Sequence, residues 1–209
     1  MAADKQTWQF LQDELVDFVA MVRTLTAEQW ATPSLCNGWS VRDVVVHAAA
    51  GRKSLGKTFV LWASVGFGSA AKANARELEL NRNQSIDSVI DWLASPLKPK
   101  GLLHMQNQLR GLTIHQQDVR RPLGLHRDFP ADRLHAVMDT ALTRLGSANV
   151  GSRRRADGLC LVATDIEWSA GQGPEVEGPG EAILMAISGR SAALGDLTGE
   201  GTEELATRL

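Results

Sequence analysis

The chain has 209 residues, a net charge of −2, 44% hydrophobic and 22% charged residues. This composition excludes a disordered or collagen-like chain and predicts a globular protein with a sizeable core, while the balanced charge gives no support to a nucleic-acid partner. Two cysteines, Cys36 and Cys160, are too few for a disulfide framework and fit a reducing, cytoplasmic location. The longest uncharged stretch, residues 58–71, is too short to cross a membrane, and we expect it to form a buried helix end and a loop.

The N-terminal part of the chain has the patterns of amphipathic helices. Apolar side chains follow the 3.6-residue period over residues 4–25, and a short helical turn is predicted over 26–30. Ser40, with Asp43 three residues later, has the spacing of a capping box. This pair predicts a helix that begins at Ser40 and ends at about Ala63.

Three further helices are predicted before residue 150. Ser85 is placed to cap a helix over 85–95, and a longer helix is expected from Leu102 to Arg120. The most regular apolar spacing of the chain lies in residues 131–146, which we expect to be a fourth long helix. Long amphipathic helices with short connections predict an up-and-down bundle.

Near residue 157 both the charge and the pattern change. Residues 1–156 carry a net charge of +6, whereas residues 157–209 carry −8. Residues 158–169 are rich in β-branched residues and contain Trp168, which predicts a strand, and a short helix is expected over 181–187. We therefore predict a mainly α protein: a helical bundle domain over 1–156 and a short α+β module over 157–209 packed on it.

Two histidines lie within predicted helices and could carry chemistry. His47 follows Ser40 on the third predicted helix, and His115 lies on the Leu102–Arg120 helix with Asp118 three residues later. Residues at this spacing share one helix face, so His115 and Asp118 could point at the same place in the bundle interior, where metal sites are built. The alternative is that both histidines are hydrogen-bonded core residues.

Two motifs and the C-terminal tail carry a family resemblance. The string LCNGWSVRDVVVHAAAG (35–51) and the string IHQQDVRRPLG (114–124) resemble the two signatures of the mycothiol-dependent maleylpyruvate isomerase family, part of the DinB-like superfamily. The tail LVATDIEWSAGQGPEVEGPGEAILMAISGR resembles the C-terminal module of many members. The resemblance implies a DinB-like four-helix bundle in which His47 and His115 bind a divalent metal. We expect zinc, although imidazole and carboxylate ligands also accept nickel and iron.

One position departs from the family pattern. Members commonly have a Glu four residues before the second histidine as a third ligand, and this chain has Gly111 there. Asp118 is the nearest replacement, either as a direct ligand, which we slightly favour, or as a hydrogen-bond acceptor that orients an imidazole. The remaining alternative is that the site binds metal weakly or has lost it.

The resemblance also implies a chemistry. The metal would bind mycothiol and deprotonate its thiol for attack on a small electrophile, as in a thiol-dependent isomerase or S-transferase. Arg120 and Arg121 could hold a carboxylate of the cofactor or substrate, or else cap the helix C-terminus. Cys36 has no obvious activating base, and no catalytic side chain is assigned. The alternative function is a non-catalytic metal- or ligand-binding module, and a homodimer is possible without being required.

Overall fold

The computed structural model describes residues 2–51, 55–98, 101–146 and 150–209. Its helical part is a bundle in which the longest interior helix is central. That helix, α7 (Leu102–Arg120), packs against the first, third and eighth helices and also contacts the C-terminal part. In chain order the helices are α1 (Ala2–Val22), α2 (Ala27–Ala31), α3 (Val41–Ala50), α4 (Leu55–Ser64), α5 (Ala70–Leu80), α6 (Ile86–Leu93), α7 (Leu102–Arg120), α8 (Ala131–Ala141) and α9 (Ser152–Ala156).

The core of the bundle follows the apolar periods of the sequence. Phe18 on α1, Val45 on α3 and Leu134 on α8 are fully buried and belong to one continuous hydrophobic cluster. This cluster extends into the C-terminal part, so one core serves the whole described chain. The prediction of a mainly α bundle with a small α+β appendage is confirmed.

The capping box predicted for α3 is present, but the helix is shorter than expected. The Ser40 side chain accepts a hydrogen bond from the Asp43 amide, and the Asp43 carboxylate accepts one from the Ser40 amide. The structure ends α3 at Ala50, with Gly51 as its C-cap, and gives α4 as a separate helix. The prediction of one helix to Ala63 is therefore wrong.

The region after α3 differs from the prediction in two more ways. Phe59 and Val60 on α4 are exposed, at 63% and 67% of their surface, so the uncharged stretch is not a buried helix end. The helix α5 was not predicted, although Ser69 caps it by accepting a hydrogen bond from the Lys72 amide. Its sequence has too few apolar side chains to display a helical period.

The eighth helix also ends early. The apolar spacing predicts it over 131–146, whereas α8 ends at Ala141 with Leu142 as its C-cap. Leu145, expected on the buried face, is 63% exposed. The helix α6, by contrast, begins after its predicted cap Ser85, and α7 has the predicted bounds.

The C-terminal part consists of a small sheet and one buried helix. Strands β1 (Cys160–Ala163), β2 (Ser169–Gly171) and β3 (Glu175–Gly178) form a sheet of order β2-β1-β3, with β1 antiparallel to β2 and parallel to β3. The single predicted strand over 158–169 is thus β1 and the turn to β2. Helix α10 (Gly180–Ile187) follows, then a 3₁₀ helix (Ser191–Asp196) and α11 (Thr202–Ala206).

Helix α10 joins this part to the bundle. Ile183, Leu184 and Met185 are fully buried, because α10 lies between the sheet and the helices α7 and α8. At its start, Glu181 accepts hydrogen bonds from Arg121, the C-cap residue of α7, with Nη2 and Oε2 2.5 Å apart. No helix in the described part of the chain is long and apolar enough to cross a membrane.

Candidate metal centre

His47 and His115 lie side by side between α3 and α7. Their ring centroids are 5.0 Å apart, and the ring planes are nearly perpendicular, at 89°. A tight turn before α3, with Gly38 at φ 76°, places Trp39 so that its ring lies 5.0 Å from that of His47. The capping box at Ser40 then fixes the start of the helix, so His47 is held by the turn and the cap together.

Asp118 lies one turn after His115 and is completely buried. Its Oδ2 lies 3.0 Å from His115 Nδ1 and accepts hydrogen bonds from Arg190 Nη2 at 2.7 Å and from the Cys36 thiol at 3.1 Å. Its Oδ1 accepts a hydrogen bond from Arg190 Nε at 2.9 Å. Both oxygens of the carboxylate are therefore engaged by groups of the chain itself.

The protonation states of these groups follow from their surroundings. Burial, helped by the neighbouring His115, lowers the pKa of His47 to about 3, so its ring is neutral and keeps a lone pair. Burial alone would raise the pKa of Asp118, but the hydrogen bonds from His115 and Arg190 outweigh it and hold that pKa below its usual range. Because Asp118 is ionised, Nδ1 of His115 is the donor in their hydrogen bond, and Nε2 is the ring nitrogen that Asp118 does not engage.

Cys36 is part of the same cluster, and its surroundings favour the protonated thiol. Burial, together with the nearby Asp118 charge, raises the pKa of the Cys36 thiol to about 12, so it stays protonated and donates to the carboxylate. Ligand atoms of Cys36, His115 and Asp118 lie within 4.8 Å of one another, as in a metal site. The Arg190 guanidinium already supplies a positive charge there, which disfavours a cation among these three groups.

A cavity of about 420 Å³ opens beside the two histidines. Its wall contains His47, Gly51, Gly111 and His115, and thus both imidazoles and the position where the family resemblance leads us to expect a Glu. Within the described part of the chain, a Cβ added at Gly111 would meet no atom within 4 Å beyond the backbone of its own helix. Gly111 therefore borders open space beside the histidines rather than a packed wall.

These features fit a divalent metal held by the two imidazoles. Two histidines that share one tetrahedral zinc ion, with Zn–N bonds of about 2.0–2.1 Å, have ring centroids roughly 5 Å apart. The spacing of His47 and His115 is 5.0 Å. The neutral His47 ring offers a lone pair, and the adjoining cavity leaves room for ligands other than the two histidines.

The structure does not bring Arg120 and Arg121 to this site. Both line a separate cavity of about 670 Å³ on another face of α7, and neither His47 nor His115 is among the described residues that line it. Arg121 is bound by Glu181 and Asp196, which raise its pKa, and Arg120 donates to Gln116 Oε1 at 2.8 Å. Cofactor binding by these two arginines stays a prediction.

Sequence reasoning missed Arg190, which reaches the site from the turn after α10. It lies 72 residues after Asp118, so no helical or strand spacing connects the two. One signal was present: the buried Asp118 predicted at the site needed a compensating positive charge. Arg190 is one of only two basic residues within 157–209, and it is the one close to an apolar helix.

Comparisons with known proteins agree with this architecture. Residues 11–95 match the family model of the mycothiol maleylpyruvate isomerase N-terminal domain. Two crystal structures of the mycothiol-dependent maleylpyruvate isomerase share the fold. The first, of a point mutant, has a TM-score of 0.61 at 14% identity, and the second 0.55 at 13%; each match covers 95% of this chain and 93% of the other. No curated protein matches this chain.

Proposed function

We propose that His47 and His115 hold a divalent metal ion, with zinc as the preferred metal. With this ion and mycothiol, the chain would act as an isomerase or S-transferase on a small electrophile. The observation that carries this proposal is the convergence of the two rings, 5.0 Å apart, at the wall of an open cavity. The N-terminal domain family and the shared fold support the choice of thiol and reaction class.

The chain's own residues would prepare the site in three ways. His47 is kept neutral by burial, so no proton competes with the metal for its lone pair near neutral pH. Asp118 accepts a hydrogen bond from Nδ1 of His115 and so leaves Nε2 as the nitrogen that would bind the ion. When bound, the ion would supply Lewis acidity that lowers the pKa of a coordinating thiol.

Of the two roles that the sequence leaves open for Asp118, we assign it the positioning role. A carboxylate whose two oxygens accept hydrogen bonds from Arg190, His115 and Cys36 has little capacity left for a metal. Arg190 in turn compensates the negative charge of Asp118. The C-terminal part therefore acts on His115 indirectly, through the carboxylate that Arg190 binds.

The alternative function, a binding module without catalysis, is favoured by Gly111. Two histidines without a third protein ligand bind zinc less tightly than the usual three or four. The two functions differ in one measurement: an enzyme converts an electrophile such as maleylpyruvate only when mycothiol and metal are both present, whereas a module binds metal or thiol without turnover.

The metal content of the purified, zinc-reconstituted protein tests the proposal. We expect one zinc per chain, lost in His47→Ala and in His115→Ala. His135→Ala is the matched control, because His135 is half exposed on α8 and pairs with Asp139. The proposed metal site would be contradicted if both site variants bound zinc as the wild type does. It would also be contradicted if the control lost zinc equally. Retained metal without any thiol-dependent turnover would favour the binding module.

A further inference from the structure

The cavity beside the histidines is elongated along α7. His104, Gln108, Gly111 and His115 follow one another at intervals of four, three and four residues, which places them on one face of the helix. The eleven residue steps from His104 to His115 correspond to about 16 Å of helix. His104 is therefore too far from His115 to share an ion with it, and the two residues mark opposite ends of the cavity.

The end away from the metal ligands is polar. His104, Asn107 and Gln108 line it, whereas the middle is lined by the small residues Gly51 and Gly111. Gln108 Nε2 donates to the Gly51 carbonyl at 3.2 Å, so this amide is occupied in holding α7 against the end of α3.

Asn107 has a buried acceptor that is not in use. Its Oδ1 is buried and accepts no hydrogen bond within the described part of the chain. A buried carbonyl without a donor is unfavourable, and proteins seldom retain one without a reason. Rotation about χ2, a soft torsion in Asn, exchanges the positions of the two amide atoms, so Asn107 is able to present an acceptor or a donor to a molecule in the cavity.

We propose that this polar end recognises the tail of the thiol ligand and that Asn107 determines specificity for it. The ligand class is an extended thiol with hydroxyl or amide groups at the end remote from sulfur, as in a thiol attached to sugars. The inference rests on the proposed function, because it places the sulfur at His47 and His115. A short thiol without such a tail would reach the histidines and leave Asn107 unsatisfied.

Calorimetric titration of the zinc-reconstituted protein with two thiols tests this subsite. Mycothiol carries a hydroxyl-rich sugar tail, and N-acetylcysteine has an acylated cysteine without it. We expect Asn107→Leu to weaken mycothiol binding roughly 10-fold, the effect of about one hydrogen bond, and to leave N-acetylcysteine binding unchanged. Gln106→Leu is the matched control, since its neighbour position on α7 is outside the cavity lining, and it should alter neither thiol.

Unfolding of the same variants separates recognition from a structural role. Asn107→Leu removes no hydrogen bond through Oδ1, so its unfolding midpoint should equal or exceed that of the wild type. Equal weakening of both thiols, no change in either, or a clearly lowered midpoint would overturn the subsite while leaving the metal and thiol function standing. Failure of the wild-type protein to bind either thiol would overturn the proposed function and the subsite with it.

Discussion

The Asp118 carboxylate is held ionised in a position with no exposed surface, and only its immediate partners make this possible. Arg190 contacts both oxygens and contributes a full positive charge, while His115 donates a further hydrogen bond. Removing one member of such a buried ion pair leaves the other without compensation, which is strongly destabilising. The orientation of His115 thus depends on a charge balance shared by α7 and the turn after α10.

Asp118→Asn should reveal both consequences. We expect the zinc affinity to fall about 10- to 100-fold, as when an orienting partner of a ligand is removed, and the metal-free protein to lose about 3 kcal/mol of unfolding free energy. Zinc titration and denaturant unfolding measure the two effects. Asp128→Asn makes the same charge change at an exposed carboxylate and should do neither. An unchanged zinc affinity in Asp118→Asn would remove Asp118 from the site.

Gly111→Glu should tighten metal binding. The new side chain starts in open space and lies four residues before His115, on the same helix face. Any side chain here also raises helix propensity, by up to about 1 kcal/mol for Ala, so stability alone does not report on the metal. Gly111→Ala is therefore the control: both variants should unfold at higher denaturant, but only Glu should raise the zinc affinity. Equal affinities would show that the cavity no longer accepts a third ligand beside the histidines.

At this scale the sequence predicted the residues whose spacing is local. His115 and Asp118 are three residues apart on a helix of predicted bounds, and His47 lies seven residues after a recognisable cap. Arg190 and the hydrogen bond from Cys36 were not predictable in this way, because each joins Asp118 across more than 70 residues. Arg121, seen in sequence as a ligand-binding group, is engaged by acids that only the tertiary fold brings near.

A second buried ion cluster connects the elements of the bundle. Glu14 on α1 is fully buried and binds Arg127, which follows α7, at 2.5 and 2.7 Å and Arg133 of α8 at 2.9 Å. Gln116 of α7 donates to the same carboxylate at 3.2 Å. One carboxylate therefore fixes the position of α1 relative to three neighbouring segments.

Glu14→Gln should destabilise the bundle by about 3–5 kcal/mol, because it leaves two largely buried guanidinium groups without their main partner. Asp17→Asn is the comparison, since Asp17 binds the same two arginines but its side chain is 42% exposed. Its effect should stay within about 1 kcal/mol, as for partly exposed pairs. Denaturant unfolding followed by circular dichroism measures both, and similar losses in the two variants would contradict the ranking.

Elements were predictable where local signals mark them. The helix α1 has apolar side chains at helical spacing, whereas α6 and α7 have start and stop signals, and the predicted bounds of all three are close to those observed. The helix α5 and strand β3 were missed for the same reason: β3 has four residues, of which Val176 is the only buried large apolar one, and its register is set by pairing with β1. Neither segment has enough apolar side chains at regular spacing to predict its secondary structure.

On the scale of the whole molecule, the C-terminal part is continuous with the bundle. The side chains of α10 complete the core beside α7 and α8, and Trp168 Nε1 donates to Asp139 of α8 at 2.8 Å. Arg121 and Arg190 are each bound across the same boundary. The pairs of Arg121 with Glu181 and Asp196 join the basic bundle to the acidic C-terminal part, in the sense of the net charges of +6 and −8, whereas the Arg190–Asp118 pair has the opposite sense.

The full chain should unfold in a single cooperative transition, and a fragment of residues 1–156 should not fold cooperatively. The fragment would expose the surface that α10 covers and leave Asp118 buried without Arg190. Far-UV circular dichroism during denaturation, together with amide hydrogen exchange in α7 and α10, measures this. Two separate transitions, or a fragment that unfolds sharply, would instead establish two independently folding units.

The contacts of Asp118 also bear on the order in which the chain folds. Cys36 lies 82 residues before it and Arg190 72 residues after it, so closing this cluster requires long stretches of chain to be organised first. Such non-local contacts are slow to form, because the chain loses loop-closure entropy before the contact contributes any favourable free energy. Contacts absent from the transition state change the unfolding rate rather than the folding rate. We therefore expect the Asp118 cluster to form late in folding. It would then slow the unfolding of the native protein and have little effect on its folding rate.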